Sequence, residues 1–230
     1  MNQIVTQGIV LARTDYGEAD RILTLITPSQ GKLRLMAKGV RRVRSKLAGG
    51  IELFSISDIT FIRGRGDMGT LVSARLLRHY GAIVTDLARV QLGYDLLRLL
   101  HRNTEDESEA DYFSLLDHGL AALNDVGIDT STIDLWFRSQ LLRLGGFVPN
   151  LQTDTIGNKL EITGQYAFSF DDMAFTSSPN GRFQANHIKV LRLLFGNYTP
   201  TVLQQLHVGQ DLLQAIAPLV QTMFAASLRV

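Results

Sequence analysis

The 230-residue sequence contains no cysteine, which excludes disulfide bonds and any metal site built on thiolates. Its five histidines, His79, His101, His118, His187 and His207, never fall at the short spacings of a zinc site, so we expect neither metal nor cofactor. No run of about 18 apolar residues is present, and MNQIVTQG lacks the basic and apolar segments of a secretory signal. We therefore expect a soluble, cytoplasmic protein without membrane contact.

Motifs of common enzyme classes are also missing. There is no GxxxxGK[ST] phosphate loop, no GxSxG nucleophile turn and no close pair of histidine and carboxylate that would activate a nucleophile. Residues 64–69 (GRGDMG) do match GxGxxG, with Asp86 about 20 residues later. That fingerprint requires a helix that opens at the glycines, whereas residues 70–73 have the composition of a strand. We therefore expect a protein that is not an enzyme.

Positive charge, by contrast, is concentrated in one short stretch. Residues 38–46 (KGVRRVRSK), here called the basic loop, hold five cations, Arg34 lies just before them, and no acid intervenes. Such runs are often only solvated surface, but crowded like charges are most stable beside a polyanion, and counterion release then drives binding. Nucleic acid is the first partner to expect.

The net charge of +1 hides an asymmetry between the two parts of the chain. Residues 1–80 contain 13 Lys or Arg and 6 Asp or Glu, whereas residues 81–230 contain 10 and 16. A basic first third joined to an acidic remainder favours a nucleic-acid-binding module attached to a domain of another kind.

Hydrophobic periodicity divides the chain at the same place. Five segments with strand-like composition, at 4–13, 21–27, 32–38, 53–62 and 70–77, are separated by turns such as residues 28–31 (PSQG). Five short strands in about 80 residues suit a small closed barrel, and the OB-fold is the five-stranded barrel that often binds oligonucleotides. Composition alone does not separate it from other small barrels.

After residue 80 the apolar spacing becomes helical. It predicts helices over about 83–100, 112–123 (with a start signal at Ser108) and 133–144, and again over 185–195, 201–206 and 210–228. Pro218 should kink the last of these or divide it in two. Residues 149–182, rich in Gly, Asn and Thr, are interpreted as a small irregular insert with short strand-like pieces around residues 166–170 and 173–175. The fold class is therefore α+β: an OB-fold domain over 1–80 and a helical domain over 81–230.

Residues 8–54 combine several short motifs: a Tyr-x-Glu-x-Asp loop (Tyr16, Glu18, Asp20), Thr27-Pro28, Gly31, a Lys-Gly-x-Arg-Arg-x-x-Ser run (Lys38, Gly39, Arg41, Arg42, Ser45) and Leu53-Phe54. This combination resembles the opening of the RecO family of bacterial recombinational-repair proteins. A weaker similarity, residues 141–151, resembles the family's entry into a zinc-finger-like insert. The family's two Cys-x-x-Cys pairs would fall near Asp154 and Gly157 and near Thr176 and Pro179, so here the insert must be held by packing of residues such as Phe168, Phe170 and Phe175, or be mobile.

The resemblance implies a recombination mediator of the bacterial cytoplasm and nucleoid, acting in homologous recombination by the RecFOR pathway. Such a protein binds single- and double-stranded DNA and anneals complementary strands. With RecR, it helps load RecA onto DNA coated with single-strand-binding protein, whose acidic C-terminal tail it binds on the helical domain. An OB-fold protein that binds RNA or serves translation is the alternative, since the same basic barrel would suit it.

Candidate DNA-binding residues follow from the charge pattern and from the aromatic at the first loop. The phosphate contacts are expected from Arg34, Lys38, Arg41, Arg42, Arg44 and Lys46, with Arg13, Lys32, Arg63 and Arg65 at the rim and Tyr16 as a base-stacking group or a loop-packing tyrosine. Arg138, Arg143, Lys189 and Arg192 are the candidate cations around an apolar pocket for the tail.

Overall fold

The computed structural model describes residues 3–64, 66–105 and 110–229 and begins with a closed five-stranded barrel. Its strands are β1 (Gln3–Tyr16), β2 (Asp20–Thr27), β3 (Gly31–Ala37), β4 (Ser55–Ile62) and β5 (Met68–His79). They follow one another around the barrel in the order β1-β2-β3-β5-β4, and only the β3–β5 pair is parallel. The predicted five strands and the OB-fold are confirmed.

Alternation of apolar and polar residues explains why these segments form strands. Leu23 and Leu25 on β2, Leu35 on β3, and Ile59 and Phe61 on β4 all point into the barrel, where each is at most 1% exposed. Successive side chains in a strand face opposite sides, so one face of each strand supplies this core. The other face is partly exposed and partly buried, as at Ile26, which is 0% exposed.

Glycines permit the barrel to close between β3 and β5. The parallel pairing covers only three residue pairs, Arg34–Met68 to Met36–Thr70. A Cβ atom on Gly69 would lie 2.8 Å from a methyl carbon of Leu35 and 3.0 Å from the carbonyl oxygen of Ile62, so a larger residue would require both neighbours to shift. The GxGxxG motif thus leads directly into strand β5, and no helix opens there as a dinucleotide site would require.

Two helices complete the first of two compact units, residues 1–130 and 131–230. A 3₁₀ turn (Gly81–Thr85) leads to α1 (Leu87–Asn103), and α2 (Ala110–Asn124) follows. Asp86 caps α1 by accepting the Arg89 backbone N–H at 2.9 Å. Because α1 and α2 contact the barrel strands, the compact units divide at residue 130, while the barrel itself ends at residue 79. The proposed start signal at Ser108 lies outside the described residues.

Arg89 holds these two helices together from a buried position. It is 8% exposed, and its guanidinium donates four hydrogen bonds of 2.7 to 3.1 Å to the carbonyl oxygens of Leu123, Asp125, Val126 and Ile128. The carbonyls at the end of α2 have no partners within the helix, and a cation is favoured at that negative end of the helix dipole.

The second unit contains four helices: α3 (Thr130–Leu144), α4 (Ala185–Leu194), α5 (Pro200–Gln205) and α6 (Gln210–Ser227). Buried Gln140 on α3 donates to the carbonyl oxygens of Leu194 and Gly196 at the end of α4. The expected division of the last helix at Pro218 is wrong, since α6 continues through it. Pro218 lies on an exposed face, where water can satisfy the carbonyl that loses its N–H partner.

The insert is more regular than its composition suggested. It contains β6 (Asn150–Asp154), β7 (Gln165–Ser169) and β8 (Ala174–Ser177), and β9 (Phe183–Gln184), which directly follows it, completes a sheet in the order β6-β8-β7-β9. The buried ring of Phe175 contacts Tyr166, Phe168 and Phe183 edge-on, with centroids 5.1 to 6.3 Å apart. Aromatic packing thus stabilises the insert, as expected from the lost cysteines.

Asp154 occupies one position where the family resemblance would place a zinc-ligating cysteine. Its Oδ1 accepts the backbone N–H groups of Ile156 (3.1 Å) and Asn158 (2.8 Å), and its carbonyl oxygen accepts that of Gly157 (3.1 Å). The carboxylate therefore organises this tight turn through hydrogen bonds. Within the described ranges, no cluster of three or more His, Cys, Asp or Glu side chains could hold a metal ion.

Replacing Arg89 should destabilise the first unit. Arg89→Met retains much of the apolar stem but leaves several buried carbonyls without donors, and we expect a loss of about 3 kcal/mol in the free energy of unfolding. Urea unfolding measures this loss. Arg98→Met on the same helix removes an exposed arginine paired with Asp95 at 2.6 Å and should change stability by less than about 0.5 kcal/mol. Equal effects of the two substitutions would contradict the role given to Arg89.

The insert should depend on Phe175 and not on metal. Phe175→Ala removes a buried ring with three aromatic neighbours and is expected to destabilise the second unit by about 3 kcal/mol or more, measured by hydrogen exchange of insert amides. Phe170→Ala, at a ring that is 44% exposed, is the matched control and should cost less than about 1 kcal/mol. Stoichiometric zinc found by elemental analysis after chelator treatment would refute the metal-free insert.

Candidate nucleic-acid interface

The basic loop lies at the same end of the barrel as the turn between β1 and β2. Strand β2 is antiparallel to both neighbours, and its first residues pair with the last residues of each: Asp20 with Tyr16 on β1, and Arg21 with Ala37 on β3. The Tyr-x-Glu-x-Asp segment and the start of the basic loop are therefore brought together by strand register alone.

Main-chain hydrogen bonds fix the course of the basic loop. The Gly39 N–H donates to Asp20 Oδ1 at 2.7 Å, and the Arg41 N–H donates to the Ala19 carbonyl oxygen at 2.9 Å. Gly39 has φ +64°, a left-handed conformation in which glycine is strongly favoured. Further along, the Ser45 N–H donates to the Arg42 carbonyl oxygen at 2.9 Å. The loop is thus bonded to the β1–β2 turn by its backbone, which leaves its side chains available.

Four cations of the basic loop are exposed and have no acidic partner among the described residues. No carboxylate in that part of the chain lies within 4.0 Å of a side-chain nitrogen of Lys38, Arg42, Arg44 or Lys46. Val43, at the centre of the loop, is fully exposed. The loop therefore projects from the barrel with unneutralised charge.

Arg41 differs from its neighbours because it has an acidic partner. Its Nε lies 3.5 Å from Asp15 Oδ2, and Arg21 Nε donates to Asp15 Oδ1 at 2.8 Å. The hydrogen bond from Arg21, followed by the charges of Arg21 and Arg41, lowers the pKa of Asp15 below its usual value. Arg13, a predicted rim residue, is likewise paired, with Glu52 at 3.3 Å.

At the other end of β3 a cavity of about 750 Å³ lies between the β2–β3 and β4–β5 turns. Exposed Arg34 lines it, as does Arg63, which donates to Gln30 Oε1 at 2.6 Å across the two turns. Lys32 also lines the cavity, but its ammonium donates to the carbonyl oxygens of His101 and Thr104 at the end of α1. This contact gives Lys32 a structural role. Arg65 lies outside the described residues.

Tyr16 lies at the end of β1, beside the basic loop. Its side chain is 56% exposed, and its backbone pairs with Asp20. Base stacking requires an exposed ring, and the assignment of Tyr16 to the interface stays a prediction.

Three of the four predicted partner-binding cations have internal partners. Arg138 Nε donates to both carboxylate oxygens of Asp134, Arg143 donates to Gln140 Oε1, and Arg192 donates twice to the Leu151 carbonyl oxygen. Lys189 is exposed beside a small cavity of about 40 Å³ that Leu160, Ile162, Ile188 and Arg192 also line. The assignment of these residues to a partner site stays a prediction.

Sequence reasoning gave no role at the site to Arg21, Asp15 or Asp20. The Tyr-x-Glu-x-Asp loop carries part of the family resemblance, but its sequence does not reveal the hydrogen bond from Gly39 to Asp20. That bond joins residues 19 positions apart and depends on how β2 pairs with β3. The sequence does contain a signal for these roles: two acids, Asp15 and Asp20, flank the turn between the first two strands and are candidates to neutralise a nearby basic loop.

In the described part of the chain, no helix combines the length and apolar character needed to span a membrane.

Comparison with known proteins identifies relatives over most of the chain. Residues 1–80 match the family described as Recombination protein O N terminal. DNA repair protein RecO of Dehalococcoides mccartyi is 28% identical over 220 residues, which cover 92% of this chain and 85% of that protein. The RecO protein of Halalkalibacterium halodurans is 31% identical over 146 residues, which cover 63% of this chain and 57% of that protein. The RecO protein of Rubrobacter xylanophilus is 34% identical over 146 residues, which cover 64% and 58%.

The extent of these matches agrees with the organisation of the structure. The family match ends at residue 80, next to the last barrel residue, His79, and the longest of the three alignments extends through both compact units. The basic OB-fold barrel followed by helices has the order that the motifs in residues 8–54 indicated. Residues 1–80 therefore match the RecO N-terminal family, and the chain as a whole is similar to DNA repair proteins named RecO.

Proposed function

We propose that this protein is a recombination mediator that binds single- and double-stranded DNA through its barrel and anneals complementary strands. The observation that carries the proposal is the set of exposed cations Lys38, Arg42, Arg44 and Lys46 on a loop whose backbone is bonded to the β1–β2 turn. The relatives' name, DNA repair protein RecO, supports a role in DNA repair.

The charge arrangement favours phosphate over base recognition. Lysine and arginine side chains on an exposed loop reach backbone phosphates without reading base edges, and each neutralised phosphate releases a counterion. The hydrogen bonds that fix the loop backbone reduce the conformational entropy lost on binding. Binding should therefore be strong at low salt and largely independent of sequence.

Strand β3 offers a path between the two basic regions. Its seven residues span about 20 Å, from the cavity lined by Arg34 and Arg63 to the basic loop. A single strand lying along β3 would place phosphates near both regions, which agrees with the site sizes of about 4 to 16 nucleotides known for OB-folds. The outer face of β2 and β3 is also the usual ligand side of this fold.

Annealing by such a surface needs no covalent chemistry. Two DNA strands repel each other through their phosphates, and a basic surface that neutralises both lowers this barrier. Because the contacts are to phosphates, the bases remain free to pair. Together with RecR, such a protein would help RecA replace single-strand-binding protein on the DNA.

Arg41→Ala, Arg42→Ala and Arg44→Ala combined should weaken DNA binding for every sequence. Loss of up to three phosphate contacts should reduce the slope of log K against log salt by about 2 for single strands. Fluorescence anisotropy with labelled oligonucleotides across a salt series measures both effects, and annealing of strands coated with single-strand-binding protein should slow in parallel.

The control for this variant removes the same charge from outside the basic loop. Arg75→Ala, Arg98→Ala and Arg182→Ala combined alter three exposed arginines and should change the salt slope much less. Unchanged affinity and slope in the basic-loop variant would remove that loop from the site. Tighter binding of matched RNA than of DNA would favour the RNA-binding alternative.

We further propose that the second unit binds the acidic, apolar-ended tail of single-strand-binding protein at Lys189. Lys189 is exposed and adjoins Leu160, Ile162 and Ile188, so a cation and apolar side chains lie together. Arg138, Arg143 and Arg192 already donate to internal acceptors, which makes them weaker candidates.

Lys189→Ala should weaken binding of such a tail peptide about fivefold, the effect of one exposed charge pair. Anisotropy of a labelled peptide at low salt measures this change. Arg182→Ala, which removes an exposed cation of the same unit, should leave the affinity nearly unchanged. Equal binding by wild type and Lys189→Ala would reject this site, and a larger loss in the Arg138→Ala/Arg143→Ala variant would transfer it to α3.

A further inference from the structure

Asp15 places one carboxylate between two arginines at the edge of the basic loop. Its Oδ1 accepts from Arg21 Nε at 2.8 Å, and its Oδ2 lies 3.5 Å from Arg41 Nε. Each oxygen therefore serves a different guanidinium group. The Asp15 side chain is 50% exposed, so a second anion can approach the same two arginines from solvent.

Strand register puts Arg21 between Asp15 and the start of the basic loop. Arg21 on β2 pairs with Asp15 on β1 and with Ala37, the last residue of β3. Arg21 itself is a quarter exposed. It therefore belongs to the same surface as the basic loop, although it is 17 residues away from Lys38 in sequence.

Arg41 does not depend on Asp15 for its position. Its backbone N–H donates to the Ala19 carbonyl oxygen at 2.9 Å, and its Nη1 donates to the Gly17 carbonyl oxygen at 3.4 Å. Removal of the Asp15 charge would leave both of these bonds in place. The two arginines thus form a site that persists when the carboxylate is lost.

A phosphate group can replace the carboxylate at such a site. Carboxylates and phosphates both present oxygens that match the N–H groups of guanidinium, and arginine binds the two in similar geometries. An exposed ion pair of this kind contributes little stability, so a nucleic acid can exchange for it. The remaining carboxylate would then lie beside a phosphate and repel it.

We propose that Arg21 and Arg41 form a phosphate subsite of the DNA interface, which Asp15 occupies in the free protein, so that Asp15 limits the affinity for DNA. This inference rests on the proposed function and adds a residue, Asp15, that weakens DNA binding. Arg42 and Arg44, which have no acidic partner among the described residues, would bind phosphate without such competition.

Asp15→Asn tests the proposal, since the amide retains the shape of the side chain without its charge. Affinity for a single-stranded oligonucleotide should rise about threefold or more at low salt. The slope of log K against log salt should steepen by up to about 0.7, the value for one more neutralised phosphate. Asp15→Glu keeps the charge and should bind DNA like wild type.

Asp58→Asn is the matched control for the change in net charge. Asp58 on β4 pairs with Arg75 on β5 at 2.6 Å, outside the β1–β2 turn and the basic loop. We expect its affinity to stay within about twofold of wild type. An equal gain in both variants would show a general charge effect and would overturn the proposal, as would unchanged or weaker binding by Asp15→Asn with an unchanged unfolding midpoint.

A double-mutant cycle separates competition from positioning. Arg41→Gln should weaken DNA binding more in the Asp15→Asn background than in wild type. In wild type, Asp15 already pairs with Arg41 and so reduces the contribution of Arg41 to phosphate binding. An equal loss in both backgrounds would overturn the subsite. If wild type fails to bind oligonucleotides at low ionic strength, the proposed function fails and this inference with it. If wild type binds and Asp15→Asn does not gain affinity, only this inference fails.

Discussion

The proposed DNA interface depends on two hydrogen bonds that fix the start of the basic loop to the β1–β2 turn. Cations that are crowded on a free loop reduce their repulsion by spreading apart or by turning toward the nearest carboxylates. The bonds from Gly39 to Asp20 and from Arg41 to Ala19 prevent this at the level of the backbone. The two acids that flank the turn act differently: Asp20 accepts a backbone N–H of the loop, whereas Asp15 pairs with arginine side chains.

Barrel closure determines where these charges can lie. The chain leaves the sheet after Ala37, the last residue of β3 that pairs with β2, and the basic loop forms outside the ladder of strand hydrogen bonds. The β3–β5 pairing covers only Arg34 to Met36, so the turns at the opposite end of β3 are separate, and Arg34 and Arg63 line the cavity there. One strand of seven residues thus joins two cationic regions, and the polymer that bridges them needs only a regular spacing of negative charge.

Much of the fold could be predicted from the sequence because its signals are local. Alternation over residues such as Leu23 and Leu25 identified the barrel strands, and the helical spacing identified the six α-helices of the described residues. Strand-like composition identified β7 and β8 of the insert, but strands of two to five residues are too short to establish a period, so their pairing with β6 and β9 in one sheet was not predicted. The partners of individual cations could not be predicted, because the sequence does not show which groups meet in the folded protein. Lys32 donates to carbonyl oxygens at the end of α1, and buried Arg89 donates to carbonyl oxygens at and after the end of α2.

The cysteine-free insert illustrates how one kind of stabilisation replaces another. A structural zinc supplies folding free energy through a few strong bonds, so its loss must be compensated across the same turns. Here Asp154 accepts the backbone N–H groups of its turn, and the ring of Phe175 joins three aromatic neighbours in the adjoining strands. Neither contribution requires a metal, and neither uses a residue of the basic barrel. The insert can therefore be stable without cysteines and without altering the charged surface proposed to bind DNA.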